Sequence, residues 1–345
     1  MKIKRKGKGT LLLMMVFLLI FVSVFSVSWG DVKIPFRETY SILLRLLKNS
    51  ILGISEKKGS WDTIIFNIRL PRILAAIAVG MGLSSVGCAY QGIFRNPMAD
   101  PYILGISSGA TLGAAIMIVL GKGTVFSGIG PVTAGAFTGA LVTTILVYLI
   151  ALKDRKIVSA TLLLSGVAVS YLISAFVSII LAFSEKNVSR IIYWTMGSLT
   201  GLSYRQIFFI LPFVIGGSLV IRRYADELDI MSMGEDAAVT MGVDTEKVKR
   251  NLLLVSSLVV AVCVSFTGVI GFVGLMVPHA ARLIAGPSHR KLIPFSMVTG
   301  ALFLVISDTV ARSLVDSAEL PIGAVTAVFG APYFLWLLAG QGRKK

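Results

Sequence analysis

Apolar residues run through this chain in long unbroken blocks, and polar residues gather in short gaps between them. An α-helix rises 1.5 Å per residue, so about 20 apolar residues cross a hydrocarbon layer. Ten blocks are candidates: 10–29, 68–91, 102–120, 127–152, 158–183, 204–222, 247–267, 270–285, 291–311 and 321–340. The pattern predicts an all-α, polytopic membrane protein with about ten transmembrane helices. No polar linker divides the chain, so residues 1–345 read as one transmembrane domain. The eighth block is the weakest, being short and holding Pro278, His279 and Arg282. Such interruptions are tolerated in lipid where neighbouring helices bury them.

The charges in the gaps orient the set. With the N-terminus inside, the inner segments collect Lys2, Lys4, Arg5, Lys6, Lys8, Arg95, Lys153, Arg155, Lys156, Arg222 and Arg223. They also collect Lys247, Lys249, Arg250, Arg282, Arg290, Lys291 and the tail Arg343–Lys345. The short outer loops hold only Lys122, Lys186, Arg190, Arg205 and Arg312. Short cytoplasmic loops are rich in Lys and Arg, so both termini are expected in the cytoplasm. The first block resembles a signal peptide, but its length and the lack of a small-x-small site predict retention as the first span. Residues 31–61 then form an outer-side loop. Within it Leu43, Leu46 and Leu47 share one helical face, away from Arg45 and Lys48. A short helix on the membrane surface or a buried connecting helix fits that face.

Composition narrows the functional classes. The chain is 55% hydrophobic and 14% charged, against roughly 25% charged in soluble domains. A net charge of +16 would suit nucleic acid, but the charges alternate with apolar blocks, so the expected partner is the lipid bilayer and no nucleic acid. Cys88 and Cys263 stand far apart in apolar surroundings, and only two histidines exist. Neither a disulfide framework nor a metal site is expected. There is no GxxxxGK[ST] loop and no HExxH motif, so the chain is not expected to be an enzyme or to hydrolyse ATP. Acidic residues nearly vanish from block centres, which argues against an ion-coupled carrier. Asp308 is the main exception and suits pairing with a basic neighbour. Gly109/Gly113 and Gly135/Gly139 recur at four-residue spacing, which predicts close helix crossings.

Four segments carry a resemblance. They are Arg69-Leu-Pro-Arg72 with Gln91–Ala110, then Tyr193–Leu199, then Gly271–Arg282 with Ser288–Pro294, and last Ser307–Arg312 with Glu319–Pro332. In order and over nearly the whole chain they resemble the FecCD-type permeases of iron-siderophore, haem and vitamin B12 importers. The resemblance implies a permease of the prokaryotic cytoplasmic membrane working as a homodimer. It implies two ATPase subunits inside, which bind the ATP and Mg, and one extracytoplasmic substrate-binding protein. It implies no cofactor in this chain. The expected cargo is an iron(III)-siderophore or related metal chelate. Cobalamin, haem or molybdate are alternatives in the family, and an ion-coupled secondary transporter is the alternative outside it.

The resemblance also assigns residues. Arg69, Arg72 and Arg312, near outer span ends, match arginines that dock the binding protein; lipid-headgroup anchoring is the plainer reading. Residues 226–246 hold seven of the 17 acidic residues and match two cytoplasmic coupling helices that contact the ATPase. Met233, Gly234, Glu235, Ala238, Met241 and Gly242 lie there, with Gly234 suited to end one helix and Glu235 to start the next. Ser159 and Ala160 match an inner translocation gate, although Ser159 could equally be a helix cap. Asn96, Pro97, Asp100 and Pro101 break the backbone between spans two and three. Pro278, His279 and Arg282 read first as structural family-motif residues and second as ATPase-side contacts.

Overall fold

A computed structural model describes residues 7–30, 32, 34–52, 59–121, 129–153, 156–315 and 319–341. The basic residues Lys2–Lys6, Lys122, Arg155 and Arg343–Lys345 lie outside them. The helices are α1 (Gly7–Ser28), α2 (Phe36–Leu52), α3 (Ser60–Thr63) and α4 (Leu70–Ile93), then α5 (Ile106–Leu120) and α6 (Pro131–Ala151). After a two-stranded hairpin, β1 (Leu152–Lys153) and β2 (Lys156–Ile157), come α7 (Ser159–Phe183), α8 (Val188–Thr195) and α9 (Tyr204–Arg223). Two short helices, α10 (Ala225–Met231) and α11 (Glu235–Thr240), precede α12 (Thr245–Thr267), α13 (Val273–Ala285), α14 (His289–Ala311) and α15 (Ile322–Gln341). Seven helical stretches are long and apolar enough to cross a membrane, and the apolar parts of α5, α13 and α15 are shorter. All ten expected blocks are therefore helical over at least part of their length.

Packing sorts these helices. Residues 60–93 form one continuous helical run through α3, a π-helical segment at Ile64–Arg69 and α4, and it is the bundle's centre. Its most apolar stretch is 83% buried, against 17% for α7 and 11% for α1. A soluble protein would bury the apolar faces of α1 and α7. These offer theirs to lipid or to another chain.

Glycine sets the closest crossings. A Cβ on Gly80 of α4 would lie 2.3 Å from the Gly300 carbonyl oxygen of α14, and one on Gly300 would lie 2.4 Å from that of Gly80. The four-residue glycine pairs behave as their spacing predicts. Gly113 faces Gly135 and Gly109 faces Gly139, with each added Cβ falling 2.0–2.7 Å from a carbonyl oxygen or side chain opposite. In lipid, backbone approach of this kind lets dispersion hold helices together.

Several boundaries differ from the expected ones, each for a local reason. The central helix starts at Ser60, not 68, and the segment 31–61, expected as a loop, itself contains α2. Thr39 and Ile42 of α2 are buried, while the side chains of Leu43, Leu46, Leu47 and Lys48 lie outside the described residues. Helix α5 starts at Ile106 rather than 102. The amides of Ile103 and Gly105 close turns onto the carbonyls of Asp100 and Tyr102, and Gly105 takes φ +74° just before the helix. Helix α13 has only 13 residues because 268–272 is irregular. The Tyr102 hydroxyl satisfies Ile270 in the middle of that stretch. It accepts from the Ile270 N–H (3.2 Å) and donates to the Ile270 carbonyl (3.0 Å), which irregular backbone at membrane depth requires.

Candidate functional site

Polar chemistry concentrates at the two ends of the bundle. At one end Arg69, Arg72, Arg312, Asp308 and Glu319 form a cluster. Asp308 on α14 is wholly buried and accepts from Arg72 Nε at 2.6 Å. Its other oxygen lies 3.4 Å from Arg312 Nε, an ion-pair distance without hydrogen-bond alignment. Arg72 also donates to Glu319 (2.8 Å), which accepts from the Thr200 hydroxyl (2.6 Å). Arg69 donates to the carbonyls of Val27 and Val32, and Arg312 to the carbonyl and hydroxyl of Ser26. The end of α1 is thus tied into the cluster.

The three arginines expected near outer span ends are not laid out on the surface. All three arginines are at most 5% exposed, because a buried guanidinium needs partners and the fold supplies them. The surface above them is Glu319, whose side chain is 38% exposed. Partial burial alone would raise its pKa, but the Thr200 hydroxyl and the Arg72 guanidinium hold its carboxyl below the usual range.

At the opposite end α10 and α11 fold under the bundle. Gly234 adopts φ +138°, a conformation only glycine takes readily, and α11 starts after it. The left-handed cap expected at Gly234 falls instead at Gly242 (φ +84°), where Val243 N–H returns to the Ala238 carbonyl (3.0 Å). Met233, Val239 and Met241 are each more than half exposed, whereas Ala238 is fully buried. Ala238 is therefore a packing residue, and Val239 takes its place on the exposed face. Glu235 does not point free: it pairs with Lys249 of α12. Asp229 of α10 accepts from both the backbone N–H (2.8 Å) and ring Nδ1 (2.6 Å) of His289. Burial would raise the Asp229 pKa; the bonds from His289 outweigh that and lower it.

The remaining motif residues shape the interior. Asn96 and Asp100 accept from amides two residues on, Met98 (2.9 Å) and Tyr102 (2.8 Å). Pro101 packs against Gly274, where an added Cβ would fall 2.2 Å from Pro101 Cγ. Pro278 is buried in α13, and the His279 ring meets Tyr333 edge-on at 6.5 Å. Arg282 and Arg95 line a cavity of about 230 Å³ together with Asn96 and Pro97. Ser159 is the first residue of α7. Its side chain makes no cap, since Val158 holds the cap position. Ala160 beside it is exposed.

The FecCD transport family model matches residues 18–340. The chain belongs to the FecCD transport family. It is 48% identical over 277 residues to the cobalamin import system permease protein BtuC of Halobacterium salinarum, covering 80% of this chain and 73% of that one. It is 35% identical to the hemin transport system permease protein HmuU of Yersinia pestis, with 95% of each chain covered. A solved structure described as an inward-facing metal-chelate type ABC transporter superposes with a TM-score of 0.83 at 30% identity, covering 96% of this chain and 99% of that one. This FecCD chain is accordingly a multi-pass membrane permease subunit and not an enzyme. The ion-coupled carrier falls away as its class.

Sequence reasoning on this FecCD chain missed four partners: Lys249, Glu246, Thr200 and the Asp229–His289 pair. Only spacing could have shown one of them, since Glu246 and Lys249 stand three apart on one helix. The rest meet across 60 or more positions or are joined by a fold-dependent turn. Helix α8 was missed as well, being too short for a span; its Ile191 is buried against Ala115 and Ile118 of α5.

Proposed function

We propose that this chain is the membrane-spanning subunit of a binding-protein-dependent, ATP-driven importer of a metal chelate. Ten helices cross the membrane with both termini in the cytoplasm, and two copies form the pathway. The α10–α11 end faces the cytoplasm and receives two ATPase subunits; the arginine end faces outward and receives one substrate-binding protein.

The observation that carries this reading is the α10–α11 excursion. It presents Met233, Val239 and Met241 to solvent among acidic residues. A polar loop gains nothing from exposed apolar side chains, whereas a partner groove buries them. At the other end, acidic groups on a docking protein would compete with Glu319 for Arg72, with Arg69 and Arg312 holding the surface below. Ser159 and Ala160 open the weakly buried α7, a position that suits a gate between two copies.

The expected cargo was an iron(III)-siderophore. The 48% identity to a permease named for cobalamin favours cobalamin, itself a metal chelate, as the first ligand to test. Calorimetric titration of the cognate binding protein with cobalamin and with ferric siderophores decides. Cobalamin is expected to bind at least a hundredfold tighter, about 2.7 kcal/mol. Tighter siderophore binding would reverse the cargo assignment.

A further inference from the structure

Lys249 is a buried ammonium, 2% exposed, held by two carboxylates. One is Glu235, the first residue of the short helix α11. The other is Glu246, one turn earlier on α12, at 3.3 Å. The same cluster reaches a third element. Glu246 accepts from the backbone N–H of Ile157 at 2.6 Å, and Lys249 donates to the carbonyl of Ile157 at 3.4 Å. Both backbone polar groups of Ile157 are thus engaged by α12 side chains, two residues before α7 begins. Ile157 is itself buried and paired in register with Leu152 in the β1–β2 hairpin.

We propose that Lys249 is a positioning residue that couples helix α11 to the start of α7, so that displacement of the cytoplasmic helix pair moves the gate segment. The inference rests on the reading of α10–α11 as the ATPase contact. A buried ammonium cannot lose a carboxylate and stay in place at no cost. When a partner shifts α11, Glu235 is carried with it. Lys249 must then follow Glu235 or shift fully onto Glu246, and either move changes the hold on Ile157. The link is short, charged and shielded from solvent at its centre.

The test uses the chain assembled with its ATPase and binding protein in liposomes, and reads uptake per ATP hydrolysed. Lys249→Met removes the charge at similar volume. It is expected to keep ATPase assembly and hydrolysis while lowering uptake per ATP about tenfold, within the usual range of coupling. Glu235→Gln cuts the same link at its half-exposed end, where folding is least at risk, and is expected to lower the ratio likewise. The double variant is expected to be no worse than Lys249→Met alone. Lys247→Met, exposed on the same helix, is expected to keep the wild-type ratio. Amide exchange at 156–162 is expected to quicken in both link variants. An unchanged ratio in Lys249→Met overturns the proposal, and so does an equal fall in uptake and hydrolysis. If the wild type couples and the variant couples equally, the link alone is wrong. If the wild type shows no ATP-coupled uptake, the coupling reading falls and takes the link with it.

Discussion

Replacing Asp308 with Asn tests whether the buried arginine cluster is held by charge. Among the described residues the cluster has three guanidiniums and two carboxylates, a net of +1. Asp308→Asn raises that to +2 in a site at most 5% exposed on its arginine side. Opposite charges about 4 Å apart interact by about 4 kcal/mol at an effective dielectric of 20. The Asn oxygen still accepts from Arg72, returning about 1 kcal/mol. The expected loss is therefore about 3 kcal/mol, at the lower edge of the range for breaking a buried pair. Arg72→Met is milder, since it leaves Asp308 with Arg312 and the cluster neutral. The double variant restores the net of +1 and is expected to be less destabilised than the sum of the singles by at least about 1 kcal/mol. Equilibrium unfolding in mixed micelles, followed by tryptophan fluorescence, measures all four. Additivity within about 0.5 kcal/mol, or a loss below about 1 kcal/mol for Asp308→Asn, would refute charge as the organising force.

Three further outcomes follow from the geometry. Gly113→Val places a side chain where a Cβ already falls 2.0 Å from the Gly135 carbonyl oxygen; overpacking of about 1–3 kcal/mol should separate α5 from α6, read as a lower melting temperature in detergent. Met233→Asp with Met241→Asp, both exposed, should abolish co-purification of the ATPase while leaving the chain's own melting temperature unchanged. Asp229 has its pKa lowered against the unfolded chain. Its stabilisation is therefore present above the ordinary carboxylate pKa of about 3.9 and lost as pH falls through the lower folded value. The stability gap between wild type and Asp229→Asn should be constant at neutral pH and close only in acid.

Much of the fold could be read before any coordinates. Long apolar blocks need lipid whatever their tertiary contacts, so all ten proved helical. Four-residue glycine spacing predicted crossings because a helix brings such residues to one face. Asp308 pairs with basic neighbours because a carboxylate in an apolar block has few other options. Burial of the arginines was hidden for the opposite reason. Their partners Val27, Ser26, Asp308 and Glu319 lie up to 286 positions away, and only the folded bundle brings them together. Of the α10–α11 residues expected to meet a partner, Met233 and Met241 are exposed, and only Ala238 turns inward, because a six-residue helix lying against the bundle must bury one side. Apart from the Glu246–Lys249 spacing, the Lys249 link was hidden because it joins the long α12 to a six-residue helix across a turn and to Ile157, 92 positions away.

Uptake in vesicles decides whether this chain works as half of an ATP-driven machine. The chain is reconstituted with its ATPase and binding protein, and radiolabelled chelate is followed while the proton and sodium gradients are collapsed. Uptake that needs ATP and both partners and survives loss of the gradients is the expected result. Uptake by the chain alone, driven by an ion gradient and indifferent to ATP, would contradict it.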